Sequence, residues 1–371
     1  MEPLVKELRQ ALGRRYVMEQ PEELLVYEYD GSVERAAPQI VAVPANTEQV
    51  SQVVSIARKH GVSVVPRGAG TGLSGGAIPA KGGILMPLTR MNRIIEINAA
   101  QRMAIVEPGV VNIDISKATE PYRLRYAPDP SSQKACTIGG NVAENAGGPH
   151  CLAYGVTTNH VLGMETVLAD GSIVWAGGRQ HESTGYDLRG VLIGSEGTLA
   201  VTTKVAVRLQ PLPELVMTML AIFQEEDEAG AAVSAIIGSG IVPAAIEMMD
   251  GLTIQAVEPA IHAGYPADAG AVLLVEVEGI RESVTEDAAE VQDICRANGA
   301  TEGRVADDPA ERERLWAGRK TALGALGRLA PSYYLLDGVV PRTEILDALR
   351  RIREISEEYK LPIANVFHAG D

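Results

Sequence analysis

The sequence predicts an α+β protein built from two domains. Strand-like and helix-like segments are mixed as far as Leu209, two prolines interrupt the pattern at 210-QPLPE-214, and the order strand, helix, strand, strand, helix follows. With 371 residues, the chain is long enough for two full hydrophobic cores. We therefore expect a helical N-terminal segment over residues 1–30, a first domain over 31–213 and a second domain over 214–371.

Residues 1–23 predict a surface helix. Their apolar residues recur at helical spacing with charged residues between them: Leu4, Val5, Leu8 and Leu12. The stretch lacks the apolar core of a signal peptide, and no run along the chain reaches the length of a membrane span. We therefore expect a cytoplasmic protein with no direct membrane insertion, which lies at a membrane only where a partner holds it there.

A helix and a strand are predicted next. Asn46 is suited to cap a helix with Gln49 reaching back to it, and Gly61 is suited to end that helix. The β-branched run 62-VSVVP-66 then predicts a buried strand. Hairpins are expected at 93–109 and at 163–177.

The sequence of the second domain predicts a ferredoxin-like order of strands and helices. Strands are expected at 215–223, 244–250 and 271–279, and helices at 225–238 and 283–298. This order is that of a split βαβ unit in which one strand is still missing. Further helices are expected at 309–329 and 343–359, and the last apolar run, 363–371, is a strand candidate.

The net charge and the cysteine content exclude several classes of function. A net charge of −15 argues against a nucleic-acid partner, because phosphate backbones require basic patches. The three cysteines contain no C-x-x-C pair, which indicates a reducing compartment and argues against a disulfide framework or an iron–sulfur cluster within this chain. An anionic ligand must therefore be held by a local arrangement of donors.

The stretch 66-PRGAGTGLSGGAIP-79 is the first candidate for such an arrangement. Its Gly-x-Gly-x-x-Gly spacing, from Gly70 to Gly75, is that of a Rossmann turn, but a Rossmann turn opens a helix and here more glycines and Pro79 follow. Consecutive backbone N–H groups in a glycine-rich loop can still form a nest for a diphosphate. The alternative is a solvated glycine turn.

Two further segments favour the nest. Within 128-PDPSSQKACTIGGNVAENAGGPHCLAYG-155, small residues and amide side chains recur where a backbone must approach a flat polar ligand. In 194-GSEGTLAVTTKV-205, a short loop runs directly into a β-branched strand. Taken in this order, the three segments resemble the PCMH-type FAD-binding domain of the vanillyl-alcohol oxidase family. The sequences of the second and third segments are most similar to those of FAD-linked 2-hydroxy-acid oxidases of the glycolate oxidase and D-lactate dehydrogenase type.

The resemblance implies a PCMH-type FAD domain followed by an incomplete ferredoxin-like substrate domain, and it implies FAD as the cofactor. The loop that would wrap the FAD pyrophosphate comprises Pro66, Arg67, Gly68, Ala69, Gly70, Thr71, Gly72, Gly75 and Gly76. The segment that would line the flavin and the rest of the cofactor comprises Pro130, Ser131, Cys136, Thr137, Gly139, Gly140, Asn141, Ala143, Glu144, Gly147 and Gly148. The residues that would close the site are Tyr154, Glu196, Gly197 and Val201. Because the first loop has no histidine, we expect non-covalent FAD.

The same resemblance assigns two residues to the substrate site. Arg319 matches a family arginine that grips the substrate carboxylate, with Arg314 and Lys320 as alternatives and a solvated helix charge as the simplest interpretation. His368, in the ending His-Ala-Gly-Asp, matches the start of a longer motif that binds zinc or manganese in some relatives. One imidazole is an incomplete metal site, so we expect the second domain to be truncated.

The implied reaction is oxidation of a small D-2-hydroxy acid, D-lactate or glycolate, to the 2-oxo acid by hydride transfer to the flavin. Its implied partners are an electron-accepting quinone, cytochrome or iron–sulfur protein and an iron–sulfur or second FAD-domain subunit. Two alternatives stay open from the sequence: a non-catalytic FAD-binding subunit of such a complex, and an inactive fragment.

Overall fold

The computed structural model describes residues 2–179, 185–330 and 332–370. The chain divides into two compact units: Met1–Gly147 with Gly155–Leu212, and Gly148–Tyr154 with Pro213–Asp371. The bounds 31–213 and 214–371 stay predictions; in the structure, residues 2–30 belong to the first unit and the short segment from Gly148 to Tyr154 belongs to the second. Among the described residues, no helix is both long and apolar enough to cross a lipid bilayer.

The secondary structure is mixed in both units. The helices are α1 (Glu2–Leu12), α2 (Pro21–Leu24), α3 (Thr47–His60), α4 (Asn112–Thr119), α5 (Ile138–Glu144), α6 (Cys151–Tyr154), α7 (Leu188–Leu192), α8 (Glu226–Gly238), α9 (Gly251–Ile261), α10 (Arg281–Ala297), α11 (Pro309–Lys320), α12 (Ala322–Leu326) and α13 (Ile345–Tyr359). The strands are β1 (Val17–Met18), β2 (Ile40–Ala42), β3 (Val64–Arg67), β4 (Ile84–Pro87), β5 (Ile94–Asn98), β6 (Met103–Val106), β7 (Leu124–Arg125), β8 (Val161–Leu168), β9 (Ile173–Gly177), β10 (Ala200–Arg208), β11 (Gln210–Pro211), β12 (Leu215–Phe223), β13 (Ala245–Asp250), β14 (Ala271–Gly279), β15 (Glu302–Val305) and β16 (Val366–His368).

The first unit contains a small, mostly parallel sheet in the order β1-β2-β4-β3. Helix α3 packs on it as predicted: Asn46 accepts a hydrogen bond from the backbone N–H of Gln49, and Gly61 ends the helix in the left-handed conformation. The Gln49 side chain reaches back to the N–H of Ala45. Valines on α3 and aliphatic residues on β2 and β4 share one buried cluster. This layer carries the chain through β3 into the glycine loop.

A second sheet in the first unit is entirely antiparallel, in the order β5-β6-β10-β8-β9. Both predicted hairpins are present, as β5–β6 and β8–β9. Ile115 of α4 and Ile138 and Val142 of α5 bury their side chains with residues of this sheet. The sheet therefore fixes α5, the helix within the second glycine-rich segment that carries Gly139, Gly140, Asn141, Ala143 and Glu144.

The second unit is a five-stranded antiparallel sheet in the order β15-β12-β14-β13-β16. Strands β12, β13, β14 and β15 with helices α8 and α10 form the ferredoxin-like βαββαβ pattern, and β16 extends it beside β13. Helices α8, α10 and α13 share a buried cluster with one face. Helices α9, α11 and α12 share another cluster with the opposite face.

The structure corrects several element predictions. The N-terminal helix ends at Leu12 instead of continuing to Glu23, with its four spaced apolar residues buried, and β1 then pairs antiparallel with β2. The expected linker begins as a short strand, β11, which pairs with β7. The strand that the pattern lacked is β15, which pairs with β12. Helix α9 was not predicted at all.

The expected single helix over 309–329 is two helices, α11 and α12, divided at Thr321. Both the N–H and the hydroxyl of Thr321 donate to the carbonyl of Ala317, at 3.0 and 2.7 Å. Such side-chain hydrogen bonds to the preceding turn bend helices. The bend limits α11 to the segment that carries Trp316 and Arg319.

Candidate functional site

The first part of the candidate site is the glycine loop that follows β3. Among the described residues, none of the backbone N–H groups of residues 68–77 donates a hydrogen bond to the protein. The loop is fixed from behind: Gly31 donates to the carbonyl of Gly72 at 2.9 Å, and buried Arg67 donates to the carbonyls of Tyr29 at 2.7 Å and Ala77 at 3.3 Å. A run of unsatisfied donors on a fixed backbone forms an anion nest.

The second glycine-rich segment faces this loop. A side chain at Gly68 would place its Cβ 2.5 Å from the hydroxyl of Thr137 and 3.7 Å from the backbone of Gly140. The Thr137 hydroxyl is buried and has no hydrogen-bond partner among the residues that the structure describes. Because an unsatisfied buried hydroxyl is costly, this atom indicates a missing polar ligand between the two segments.

The Gly-Ser-Glu-Gly loop forms the third wall. Gly194 donates to the carbonyl of Val142 and Glu196 to that of Ala143, each at 2.9 Å, so the loop is attached to α5. Gly197, with φ of +71°, lies so close to Pro66 that a Cβ would come within 2.5 Å of the Pro66 Cγ. Residues 66–76, 137–144 and 194–197, one part from each segment predicted to hold the cofactor, are therefore neighbours within the first unit.

Two carboxylates, those of Glu144 and Glu196, lie beside Gly76 of the glycine loop. A Cβ on Gly76 would lie 3.1 Å from Oε2 of Glu196 and 3.2 Å from Oε1 of Glu144. Burial, followed by the negative charges of Glu196 and Asp30, raises the pKa of Glu144 above its ordinary value. Glu196 has a φ of +53°, an uncommon conformation for a residue other than glycine, and such outliers concentrate at functional sites.

These features fit FAD. The donors of the 68–77 loop suit a diphosphate, the Thr137 hydroxyl is available to a polar ring edge, and the Glu144 and Glu196 carboxylates can accept hydrogen bonds from sugar or ribityl hydroxyls. Bulkier residues at Gly68 or Gly76 would occupy the space between the walls.

Other residues predicted for the cofactor have structural contacts. Gly139 packs against Pro108, where a Cβ would come within 2.6 Å of a Pro108 carbon. The Cys136 thiol accepts from the amide of Asn141 at 3.3 Å, and its burial raises the pKa of Cys136. Val201 lies in the aliphatic core. The Tyr154 hydroxyl donates to Glu278 of β14, so Tyr154, like Gly148, belongs to the second unit.

The second part of the candidate site lies on one face of the sheet in the second unit. Glu247, on β13, is completely buried. Its Oε2 accepts a hydrogen bond from Nε of Arg319 at 2.6 Å, and its Oε1 lies 2.6 Å from Nδ1 of His368. The two residues assigned to substrate are thus held by a single carboxylate that the sequence did not single out.

Arg319 is 7% exposed, so it is not the solvated helix charge that composition alone favours. The alternative Arg314 is exposed on the same helix. Apart from the bond to Glu247, the guanidinium of Arg319 makes no hydrogen bond to any described residue, which leaves its terminal nitrogens available. Lys320 lies 5.7 Å from the ring of Trp316.

Comparisons with known proteins identify the family to which the chain belongs. A family model described as "FAD binding domain" matches residues 38–177, and one described as "FAD linked oxidases, C-terminal domain" matches residues 212–371. The glycolate oxidase subunit GlcD of Escherichia coli is 48% identical over 365 residues, covering 98% of this chain and 73% of its own length. The chain belongs to the FAD-linked oxidases. It is a flavoprotein oxidoreductase with FAD as its cofactor.

Two more relatives of this FAD-linked oxidase extend the comparison. The GlcD subunit of Bacillus subtilis is 41% identical, covering 94% of this chain and 74% of its own length. A D-lactate dehydrogenase of Archaeoglobus fulgidus is 35% identical, covering 93% of this chain and 77% of its own length.

Solved structures support the fold. A 4-ethylphenol oxidase of Gulosibacter chungangensis superposes with a TM-score of 0.83 at 18% identity, covering 99% of this chain and 80% of its own. A p-cresol methylhydroxylase superposes with a TM-score of 0.75 at 21% identity, covering 88% of this chain and 71% of its own. The PCMH-type FAD domain with its FAD-oxidase C-terminal domain is therefore confirmed.

A second buried carboxylate of this FAD-linked oxidase, that of Glu276, was also not predicted from the sequence. Glu276 of β14 accepts hydrogen bonds from Thr218 and from the indole of Trp316, and its Oε1 lies 3.0 Å from Nε2 of His150. Burial pushes the pKa of Glu276 upward, but these bonds outweigh it, and the pKa lies below its ordinary value. Charged residues inside apolar strands, such as 271-AVLLVEVEG-279, were the available signal.

A metal ion does not fit the residues that are described. Over 2–179, 185–330 and 332–370, no group of three or more His, Cys, Asp or Glu side chains is arranged to hold one. His368 supplies one imidazole, and its Nδ1 contacts Glu247. Asp371, which ends the His-Ala-Gly-Asp motif, lies outside the described residues. The roles that we propose for Arg319 and His368 therefore involve no metal ion.

Proposed function

We propose that this FAD-linked oxidase oxidises a small D-2-hydroxy acid, D-lactate or glycolate, to the corresponding 2-oxo acid. The names of its relatives, glycolate oxidase subunit and D-lactate dehydrogenase, support this substrate class. The observation that carries the proposal is the buried guanidinium of Arg319. Its Nε is bonded to Glu247, and its remaining nitrogens are available for an anion.

In this proposal, Arg319 binds the substrate carboxylate. A guanidinium and a carboxylate form two parallel hydrogen bonds, and each charge-assisted bond contributes about 1.5–3 kcal/mol. A lysine at this position would offer one point charge without that planar geometry. Arg319 would therefore fix both the position and the orientation of a small acid.

His368 would accept the proton of the substrate hydroxyl. An imidazole is suited to this step because its ordinary pKa lies near neutral pH. The side chain is 38% exposed, so a small molecule can reach it, while Glu247 restrains the ring. Bound FAD would supply the acceptor for the hydride that leaves the substrate carbon.

The residues proposed to hold FAD are those of the three neighbouring segments. The N–H groups of residues 68–77 would bind the pyrophosphate, and the hydroxyl of Thr137 would donate to the cofactor. Because no histidine lies in this loop, the attachment would be non-covalent.

The electrons would pass to a partner. Relatives named as subunits support an assembly with a further chain, for which we propose an iron–sulfur or second FAD-domain subunit. A non-catalytic FAD-binding role is the second candidate. The contact of Arg319 and His368 with one buried carboxylate favours the catalytic role, since an FAD-binding subunit without activity has no need of it.

Anaerobic flavin reduction tests the proposal. The purified protein, reconstituted with FAD, is mixed without oxygen with D-lactate, glycolate or L-lactate, and flavin absorbance is followed. We expect D-lactate or glycolate to bleach the flavin, L-lactate to do so at least about tenfold more slowly, and Arg319→Lys to keep its FAD but lose most of the reduction rate. A flavin-loaded protein that none of these acids reduces would favour the non-catalytic role.

A further inference from the structure

The buried carboxylate of Glu247 is the feature that the proposed roles leave unexplained. It is 0% exposed on a central strand, and removing a carboxylate from water is costly unless partners compensate for it. An apolar residue would fill this position in the sheet at lower cost. A carboxylate in such a place therefore indicates a role beyond packing.

Its two oxygens have different partners. Oε2 accepts from Nε of Arg319, which comes from helix α11, and Oε1 is bonded to Nδ1 of His368, which comes from strand β16. The two distances are both 2.6 Å, within the range of charge-assisted hydrogen bonds. Within the described part of the chain, Glu247 is the side chain that both residues share.

The backbone around Glu247 fixes this geometry. Glu247 and His368 are directly opposite each other in the β13–β16 ladder. The register is set on both sides: Asp250 accepts from the backbone N–H and the amide of Asn365, at 2.6 and 3.1 Å, and Ala369 donates to the carbonyl of Ile246 at 2.8 Å. A shift by one residue would turn His368 to the other face of the sheet.

We propose that Glu247 is a positioning residue that orients Arg319 and His368 together for the substrate. This role rests on the proposed function. By holding Nε, Glu247 directs the terminal nitrogens of Arg319 to one edge, where they can grip a carboxylate bidentately. By accepting from Nδ1–H, it fixes the neutral His368 ring in the tautomer that has its lone pair on Nε2.

Glu276 provides a matched control. It is also a buried glutamate on the same sheet face, on the neighbouring strand β14, but its partners are His150, Thr218 and Trp316. Replacing either glutamate with glutamine removes a buried charge of the same kind. A merely structural role predicts similar effects from Glu247→Gln and Glu276→Gln, whereas a positioning role predicts different ones.

The first measurement is the binding of oxalate, an acid that the flavin cannot oxidise, to the FAD-loaded protein. Perturbation of the flavin spectrum gives the dissociation constant. We expect Glu247→Gln to keep its FAD and raise this constant at least about tenfold, and Glu276→Gln to change it less than about twofold. Equal effects of the two variants would overturn the proposal, as would unchanged binding by Glu247→Gln.

The second measurement does not depend on a variant of Glu247. Nitrogen-15 NMR of the six histidines at about pH 8, with His368→Gln to assign the resonance, reports which ring nitrogen carries the proton. We expect the Nδ1 of His368 to be protonated, and an unprotonated Nδ1 would overturn the proposal.

The two proposals fail in different ways. If neither D-lactate nor glycolate reduces the flavin, but oxalate binding depends on Glu247 and the Nδ1 of His368 is protonated, the substrate class is wrong and the positioning role remains. If the acids do reduce the flavin and Glu247→Gln behaves like Glu276→Gln, the positioning role is wrong and the proposed function remains.

Discussion

Individual glycines allow the segments of the candidate FAD site to pack closely against one another. Gly197 has a φ of +71°, a conformation that other residues adopt at a cost of roughly 1–2 kcal/mol, and it also contacts Pro66 at the end of β3. The adjacent Glu196 is bonded to α5 through its backbone. Gly197 is thus the point at which the third wall closes against the first.

We expect Gly197→Ala to weaken FAD binding at least about tenfold. The new Cβ would lie 2.5 Å from the Pro66 Cγ, so either the Gly-Ser-Glu-Gly loop or the glycine loop must move. The measurement is the FAD dissociation constant from titration of the apoprotein.

Gly240→Ala is the control for Gly197→Ala. Gly240 also has a positive φ, +94°, but a Cβ there would meet nothing within 4 Å, and it lies in the second unit. This variant should lose a similar amount of stability from backbone strain and keep its affinity for FAD. Equal loss of FAD affinity in both variants would show that strain alone is responsible.

The two substrate-site residues differ in how far the sequence could identify them. Arg319 and His368 were found through a motif resemblance. Glu247 was not, because a single glutamate within the strand 244-AAIEMMD-250 gives no local sign of its partners. Only the three-dimensional structure brings it to two partners that are 72 and 121 residues away along the chain. Side chains that act through others leave little local pattern.

At the level of elements, helix α11 is attached to the sheet by two polar anchors. Trp316 and Arg319, three residues apart and hence on one helix face, bond to Glu276 and Glu247 on neighbouring strands. Apolar contacts of Leu315 and Trp316 add to them. The helix is therefore attached at two separate points, of which only the contact with Glu247 involves Arg319 itself.

Replacing Trp316 with Phe should lower the free energy of unfolding of the second unit by about 1–3 kcal/mol. The change removes the indole N–H that donates to Glu276 at 2.7 Å, and a buried carboxylate that loses a donor is destabilised by about that amount. Denaturant unfolding followed by circular dichroism gives the value.

The matched variant is Trp175→Phe, at the other tryptophan of the chain. Trp175 is 42% exposed on β9 in the first unit, so its replacement should change stability by less than about 0.5 kcal/mol. If Trp316→Phe were equally neutral, the indole bond would not be an anchor of α11.

Long periodic elements were predictable, and short or interrupted ones were not. Strands β12 and β14 lie at the expected residues because both are long segments made mostly of aliphatic residues. Helix α9 was missed because it starts at a glycine and contains Pro259, although Asp250 caps it by accepting from the N–H of Thr253. Strand β15, 302-EGRV-305, has almost no apolar pattern, and its pairing with β12 decides its structure.

At the scale of the whole molecule, each predicted binding function falls mainly in one unit. The nest of residues 68–77, Thr137 and the Gly-Ser-Glu-Gly loop all belong to the first unit, whereas Arg319, His368 and Glu247 belong to the second. The net charge of −15 makes the whole surface unfavourable for anions. Local donors must therefore provide the attraction for both the cofactor and the substrate.

This division predicts where FAD stabilises the protein. Since each unit contains one tryptophan, Trp316→Phe leaves Trp175 to report on the first unit, and Trp175→Phe leaves Trp316 to report on the second. With free FAD at about 100 times its dissociation constant, binding should add about 2.7 kcal/mol to the stability of the unit that holds it. Fluorescence-detected denaturant unfolding of each variant, with and without FAD, measures this shift.

We expect FAD to move the unfolding midpoint reported by Trp175 by the full amount, because all the donors assigned to the cofactor lie in the first unit. Gly197→Ala in the same background should reduce the shift at any fixed FAD concentration, since the shift follows the ratio of free ligand to dissociation constant. A shift in the Trp316 signal without one in the Trp175 signal would mean that the second unit supplies the principal FAD contacts, and the assignment of the glycine nest would then be wrong.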